Sequence, residues 1–294
     1  MKELKGMGVA LVTPFDGNGN VDFDGLGKLI NYQIENGCNY LVVMGTTGES
    51  ATLNAQEKKE VLDFAIKTNN GKLPIVYGVG GNNTMAVCEQ LRSMDTTGID
   101  AILSVSPYYN KPTQEGIYQH YKAVSEASRL PIIVYNVPGR TSSNLTAATT
   151  LRLANDFGNI VAVKEASGNL EQVMTIIQNR PKDFLVISGD DAITLPMIAA
   201  GGDGVISVVG NAFPKDFSLM VSYALNNEIE KARTYHYKVY DIIDLLFCEG
   251  NPGGIKEACA EIGLMSNNLR LPLVNVSSST ANKIKELTRG IFRN

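Results

Sequence analysis

Histidine is nearly absent: His120 and His236 are the only two in 294 residues. With so few imidazoles and no HExxH pair, a histidine-based triad or a zinc hydrolase site is a poor expectation. Cysteine is scarce as well. Cys38, Cys88, Cys248 and Cys259 form no CxxC pair and no zinc-ligand spacing, which predicts reduced, mostly buried thiols. Long apolar runs are missing. The longest, such as Leu41–Met44 and Pro131–Val134, fall far short of the about 20 residues that a membrane-spanning helix needs. The apolar stretch from Met7 to Val12 is cut by Thr13-Pro14 before it reaches the about 7–15 residues of a signal-peptide core. A cytoplasmic protein is therefore expected. There is no basic excess either: 26 Lys and Arg stand against 30 Asp and Glu, for a net charge of −4, with no Lys/Arg run. That argues against a nucleic-acid partner. Chemistry must come from lysine, tyrosine, threonine, arginine or carboxylates.

Hydrophobic residues make up 44% of the chain and charged residues 19%, which excludes a disordered or fibrous protein. A chain of this length folds as about two domains, or as one large barrel with an appendage. Short, nearly uniformly apolar runs recur at Val9–Thr13, Tyr40–Met44, Pro74–Val79, Ala101–Val105, Ile132–Asn136, Ile160–Lys164, Phe184–Ser188 and Gly204–Val208. Such runs suit strands buried on both faces. Helical periodicity separates them, as in Phe23, Leu26, Leu29, Ile30 and Ile34, in Val61, Leu62, Ala65 and Ile66, and in Ile117, Tyr121 and Val124. Asn54 followed by Glu57 reads as an N-terminal capping pair, and Gly37, Gly71 and Gly98 as left-handed C-terminal caps. Eight strand–helix units predict an α/β fold, a closed (β/α)₈ barrel over residues 1–228. Residues 229–294 read as a helical appendage, with helices over Tyr235–Phe247, Gly253–Gly263 and Ser279–Phe292. A doubly wound sheet fits less well, since Pro14-Phe15-Asp16-Gly17 is no dinucleotide fingerprint.

In such barrels the active site lies at the C-terminal ends of the strands. Strand two ends in Thr46-Thr47-Gly48, whose hydroxyls and backbone N–H groups suit a carboxylate or phosphate, or make an ordinary turn. Lys164 closes strand six. Pointing inward, burial would favour its neutral amine, a nucleophile toward carbonyl carbon; pointing outward, it is a solvated strand end. The neighbouring strand end offers Tyr135, a possible proton carrier, and strand four offers Tyr108 and Tyr109. Arg140 is either a solvated loop charge or a bidentate carboxylate ligand. Asp190-Asp191 is expected to cap a helix over Ile193–Ala200 rather than bind metal. Gly78-Val79-Gly80-Gly81 lacks the lysine and spacing of a phosphate loop.

Taken together, Gly45-Thr46-Thr47-Gly48-Glu49-Ser50, Pro107-Tyr108-Tyr109-Asn110-Lys111-Pro112, Tyr135-Asn136-Val137-Pro138-Gly139-Arg140-Thr141, Lys164-Glu165-Ala166 and Gly204-Val205-Ile206-Ser207 closely resemble the dihydrodipicolinate synthase family. This family belongs to the class I pyruvate-dependent aldolases. The resemblance implies a cytoplasmic lyase of diaminopimelate and lysine biosynthesis that condenses pyruvate with L-aspartate 4-semialdehyde, with no cofactor and no metal. It implies Lys164 as the Schiff-base nucleophile and Thr46 and Thr47 as holders of the pyruvate carboxylate. Tyr135 would relay protons in a chain with Thr46 and with Tyr109, the latter reaching in from a neighbouring subunit of a homotetramer built as two tight dimers. Arg140 would fix the aldehyde's carboxylate, with Gly189 and Ile206 at the substrate. N-acetylneuraminate lyases and keto-deoxy-sugar acid aldolases share the lysine and the tyrosine. Thr46-Thr47, where neuraminate lyases usually carry Ser-Thr, and Arg140 favour the synthases. A pyridoxal-phosphate barrel enzyme would need an added phosphate site, and a dead regulator would lack Lys164 or Tyr135.

Feedback-inhibited relatives bind lysine at the dimer interface. Ser50, Ala51, Asn82 and Tyr108 match that site, but Ala55 and Lys58 stand at its ring or acceptor positions and Ala86 at its glutamate. A missing charge-assisted contact is worth about 1.5–3 kcal/mol, so insensitivity to millimolar lysine is expected. The alternative is that Glu89 replaces the missing acid one helical turn later.

Overall fold

The computed structural model describes residues 4–293. Eight parallel strands close into a barrel in sequence order, the first pairing with both the second and the eighth. They are β1 (Gly6–Ala10), β2 (Tyr40–Val43), β3 (Ile75–Gly78), β4 (Ala101–Val105), β5 (Ile132–Asn136), β6 (Ile160–Glu165), β7 (Leu185–Ser188) and β8 (Gly204–Ser207). The outer layer holds α1 (Phe23–Glu35), α2 (Ala55–Asn69), α3 (Thr84–Ser93), α4 (Gln114–Ala127), the single turn α5 (Pro138–Thr141), α6 (Ala147–Asp156), α7 (Leu170–Asn179), α8 (Thr194–Ala199) and α9 (Pro214–Leu225). Then come α10 (Ile229–Phe247), α11 (Gly253–Glu261) and α12 (Ser278–Arg293). No helix among the described residues is long and apolar enough to cross a membrane.

Successive side chains of a strand point to opposite faces, and both faces here are buried. One set, including Val42, Val76, Leu103, Ile133, Ala162, Ile187 and Ile206, fills the barrel interior. The alternate set, including Val43, Ile75, Ile102, Val134, Val163 and Val205, packs under the helices. This alternation decides where Lys164 points. It shares the parity of Ala162, so it faces inward, while Glu165 shares that of Val163 and faces the helix layer.

The first strand departs from expectation: its ladder runs Gly6–Ala10, not Val9–Thr13. Glycine lets it lie close to its neighbours. A Cβ on Gly204 would sit 2.1 Å from the Gly6 carbonyl oxygen, and one on Gly8 2.1 Å from the Tyr40 ring. Beyond Ala10, the Leu11 N–H still donates to Val42 O, but the Val12 N–H donates to the Asn211 side chain and the ladder ends. The same need for close approach accounts for Gly78 and Gly80. Cβ atoms there would fall 2.1 Å from Met44 O and 2.9 Å from Val105.

At α2 the capping pair is as expected, Asn54 accepting from the Glu57 N–H and Glu57 from the Asn54 N–H, both at 2.9 Å. Gly37 and Gly71 follow their helices at φ 85° and 70°. Gly98, at φ 76°, is instead a turn into β4, because α3 already ends at Ser93 with Met94 as its cap. Helix α10 starts at Ile229 rather than Tyr235, since Ala232 joins His236, Val239, Ile243 and Leu246 on one buried face. It packs along α9 and carries its C-terminal turns to the mouth of the barrel.

Candidate active site

A cavity of about 420 Å³ opens at the C-terminal ends of the strands. Lys164, the last but one residue of β6, lies inside it, buried, with Nζ 4.2 Å from the centroid of the Tyr135 ring. Thr46, Thr47, Arg140 and Gly189 line the same cavity. The pairing of Tyr135 with Lys164 depends on a register shift between β5 and β6. Ile132 pairs with Ile160, but Ile133 pairs with Ala162, so one residue, Val161, is extra. Regular pairing from Ile132 would set Tyr135 opposite Val163. The bulge sets it beside Lys164, and both side chains then face inward.

Gly189 makes room for the lysine. A Cβ there would stand 2.9 Å from Lys164 Cε and 2.7 Å from Ala166 Cβ. Thr46 to Gly48 form one turn of 3₁₀-helix after Met44, which is held at φ 61°. The Thr47 hydroxyl accepts a hydrogen bond from the Asn251 side chain at 2.9 Å. Arg140 is exposed at the end of α5.

Two of the expected site residues do not line the cavity of this chain. Ile206 is buried in the barrel interior and does not line the cavity. Tyr109 is 85% exposed at φ 75°, off the cavity of its own chain and not joined to Tyr135 or Thr46 by a hydrogen bond. The Asp190-Asp191 pair does not cap α8, whose N-cap is Ile193 without a side-chain bond. Asp190 accepts from the Ala192 N–H in a tight turn and lines the cavity. Asp191 is buried and accepts from the Val208 and Val209 N–H groups, both at 3.0 Å, tying the loop after β8 to the loop after β7. The unpaired N–H groups after β8 attract the carboxylate because they have no other buried acceptor. Burial pushes the Asp191 carboxyl up to about 6. The two histidines are core residues: both are buried, and burial pushes His120 down to about 4.

The C-terminal helices contribute more than the sequence reading assigned to them. Tyr240, Asp244 and Phe247 of α10, with Asn251 after it, complete the cavity wall. Glu49, in the turn that follows Thr46-Thr47-Gly48, forms an ion pair with Lys256 of α11 at 2.5 Å, both side chains fully buried. Lys256 also donates to the Asn268 carbonyl at 2.8 Å and lies 4.3 Å from the Phe15 ring centroid. Burial pulls its amine below the ordinary range, with Glu49 opposing. Arg270 donates its backbone N–H to Glu49 and its guanidinium to Glu57, whose carboxyl it holds down to about 2. The sequence carried a weak signal of this: Asn251-Pro252-Gly253 is turn chemistry inside a helical region, and Glu49 already stood within the motif of β2.

The family model described as the dihydrodipicolinate synthetase family matches residues 3–290. The chain belongs to that family. It is an enzyme of the lyase class. A protein of Flavobacterium psychrophilum named 4-hydroxy-tetrahydrodipicolinate synthase is 54% identical, with all of both chains covered. Among solved structures, the chloride-inhibited dihydrodipicolinate synthase of Acinetobacter baumannii complexed with pyruvate superposes at a TM-score of 0.95, with 39% identity over 98% of this chain and 99% of that one. The enzyme of Cyanidioschyzon merolae with lysine bound gives a TM-score of 0.95 at 37% identity, over 99% of both chains.

Proposed function

We propose that the protein condenses pyruvate with L-aspartate 4-semialdehyde to 4-hydroxy-tetrahydrodipicolinate, in the cytoplasmic route to diaminopimelate and lysine. The observation that carries this reading is the buried Lys164 amine beside the Tyr135 ring, in one cavity with Thr46, Thr47 and Arg140. The amine adds to the ketone carbon of pyruvate, and loss of water gives an imine. Thr46 and Thr47 hold the carboxylate. The imine is the electron sink: a methyl proton leaves, the enamine carbon bonds to the aldehyde carbon, and the new alkoxide takes a proton through Tyr135. The substrate's own amine then displaces Lys164 and closes the ring. Arg140 suits the second substrate's carboxylate as a bidentate donor. Asp190 and Asp244 line the same cavity. A carboxylate and an ammonium are what an amino-acid aldehyde presents; a neutral sugar aldehyde presents neither.

Two assays test the reading. Pyruvate with borohydride should add a reduced three-carbon acid to Lys164, and labelling that persists in Lys164→Ala would sink the mechanism. Turnover should be seen with aspartate semialdehyde and not with N-acetylmannosamine; the reverse would reassign the substrate.

Insensitivity to lysine belongs to the same proposal. Ala86, at the third residue of α3, spends its N–H on the Asn83 cap and brings no carboxylate. Glu89 is exposed one turn on. Lys58 and Ser50 border a cavity of about 100 Å³, where a lysine ligand would meet like charge. Half-inhibition is expected only well above millimolar lysine. Inhibition below about a millimolar would show that Glu89 supplies the acid.

A further inference from the structure

Glu165 follows the proposed nucleophile and is buried on the opposite face of β6. No lysine, arginine or histidine among the described residues pairs with it. Its carboxylate is held by amides alone. The Asn136 side chain donates to Oε1 at 3.1 Å and to Oε2 at 3.0 Å, Gln172 of α7 donates to Oε2 at 3.0 Å, and the Ser167 N–H donates to Oε1 at 2.8 Å. The network reaches the loop that carries Arg140. Asn136 accepts from the Leu145 N–H at 2.9 Å and donates to Asn144 at 2.8 Å, and Asn144 donates to Gln172 at 2.9 Å.

Asn136 and Glu165 are register partners, one residue beyond the partners Tyr135 and Lys164. Whatever holds the outward pair therefore holds the inward pair. An ionised carboxylate accepts hydrogen bonds only, so every donor around it is oriented toward one point. A neutral amide there would offer donors to donors and let the two strand ends drift. We propose that Glu165 is a positioning residue: through Asn136, Gln172 and Asn144 it sets Lys164, Tyr135 and the Arg140 loop in one geometry without touching substrate. The proposal rests on Lys164 being the Schiff-base nucleophile.

The test uses Glu165→Gln, which keeps size and turns one acceptor oxygen into an NH2 donor, beside the swap Glu165→Gln with Gln172→Glu, which restores one acid among the same amides. Turnover is expressed per site, by counting sites trapped with pyruvate and borohydride, so that a loss of folded protein does not count as a loss of rate. Glu165→Gln should lower turnover per site by on the order of tenfold to a hundredfold, the cost of a misplacement of about 1 Å, with the adduct still on Lys164. The swap should recover at least half of that loss on a logarithmic scale. Turnover per site within twofold of the unaltered enzyme in Glu165→Gln would overturn the proposal, as would a swap that restores thermal stability but not rate. Should Glu165→Gln not fold, Gln172→Leu, which removes one donor and one acceptor from the rim of the network, should still cost at least threefold per site; no change would overturn the proposal. An adduct absent from Lys164 in the unaltered enzyme would instead overturn the nucleophile assignment, and the proposal with it.

Discussion

Gly189 illustrates how a residue without a side chain can govern one that has chemistry. Its backbone is not in the left-handed region, so alanine there adds no torsional strain; the added methyl instead meets Ala166 Cβ at 2.7 Å and Lys164 Cε at 2.9 Å. Gly189→Ala should keep the barrel folded at some cost in stability and lower kcat/KM by on the order of a hundredfold, since the amine and Ala166 must both move to make room. Steady-state kinetics with circular dichroism checks this, and an unchanged kcat/KM would show that the lysine sidesteps freely. Asp191 acts at the same scale on stability. Its carboxyl is raised from 3.8 to about 6, chiefly by burial. The folded state thus binds the proton more tightly than the unfolded state. Its contribution is complete below pH 4 and is lost as pH rises through 6, by about 3 kcal/mol in all. Asp191→Asn does not titrate. Its stability relative to the unaltered protein should therefore improve by up to that amount between pH 4 and pH 7, as read by urea unfolding. A difference that stays flat with pH would mean the carboxyl is not raised.

At the scale of elements, two joints build the site. One is the bulge at Val161, which puts Tyr135 and Lys164 on the same inward row. The other is the buried pair of Glu49 and Lys256, which fastens the turn after β2 to α11. Nearby, Asn251 donates to Thr47. Two fully buried charges are held together at the cost of their hydration, so removing one leaves the other uncompensated. Lys256→Ala should cost about 3–5 kcal/mol of unfolding free energy. Replacing both, Glu49→Gln with Lys256→Met, should cost less than the single change. Urea titrations of the two variants decide it, and a double variant that costs as much as the single change or more would show that the pair is not coupled.

For the whole molecule, the surface around α3 and the loop after β4 is the notable region. Met85, Tyr108 and Tyr109 are exposed there, and Asn82 donates to the Tyr108 carbonyl to join the two segments. Tyr109 lies off its own cavity, so a role in catalysis requires the cavity of a neighbouring copy. In the dimer that the resemblance implies, Tyr109→Phe and Tyr135→Phe are each impaired, and mixed dimers hold one site with neither substitution. Mixing the two inactive proteins under subunit exchange should recover up to about a quarter of full activity. No recovery, with exchange verified by mass, would mean that each site is built from one chain.

Periodicity and turn chemistry were enough to determine the barrel, because eight apolar runs separated by helical patterns have few other ways to bury both faces. The motif at each strand end likewise placed Lys164, Tyr135, Thr46, Thr47, Arg140 and Gly189 near one mouth. Propensity misjudged β1, where close packing selects the glycines that propensity penalises. It also misjudged Asp191, whose partners are backbone N–H groups of another strand's loop. Which face Lys164 occupies was decided only in three dimensions. Strand period is two, so one bulged residue reverses every side chain beyond it, and no local composition records that shift. The joining of Glu49 to Lys256 and of Asn251 to Thr47 spans more than 200 positions of chain. Pairings of that separation are settled by the closure of the barrel and the packing of its last helices, not by any neighbouring residue.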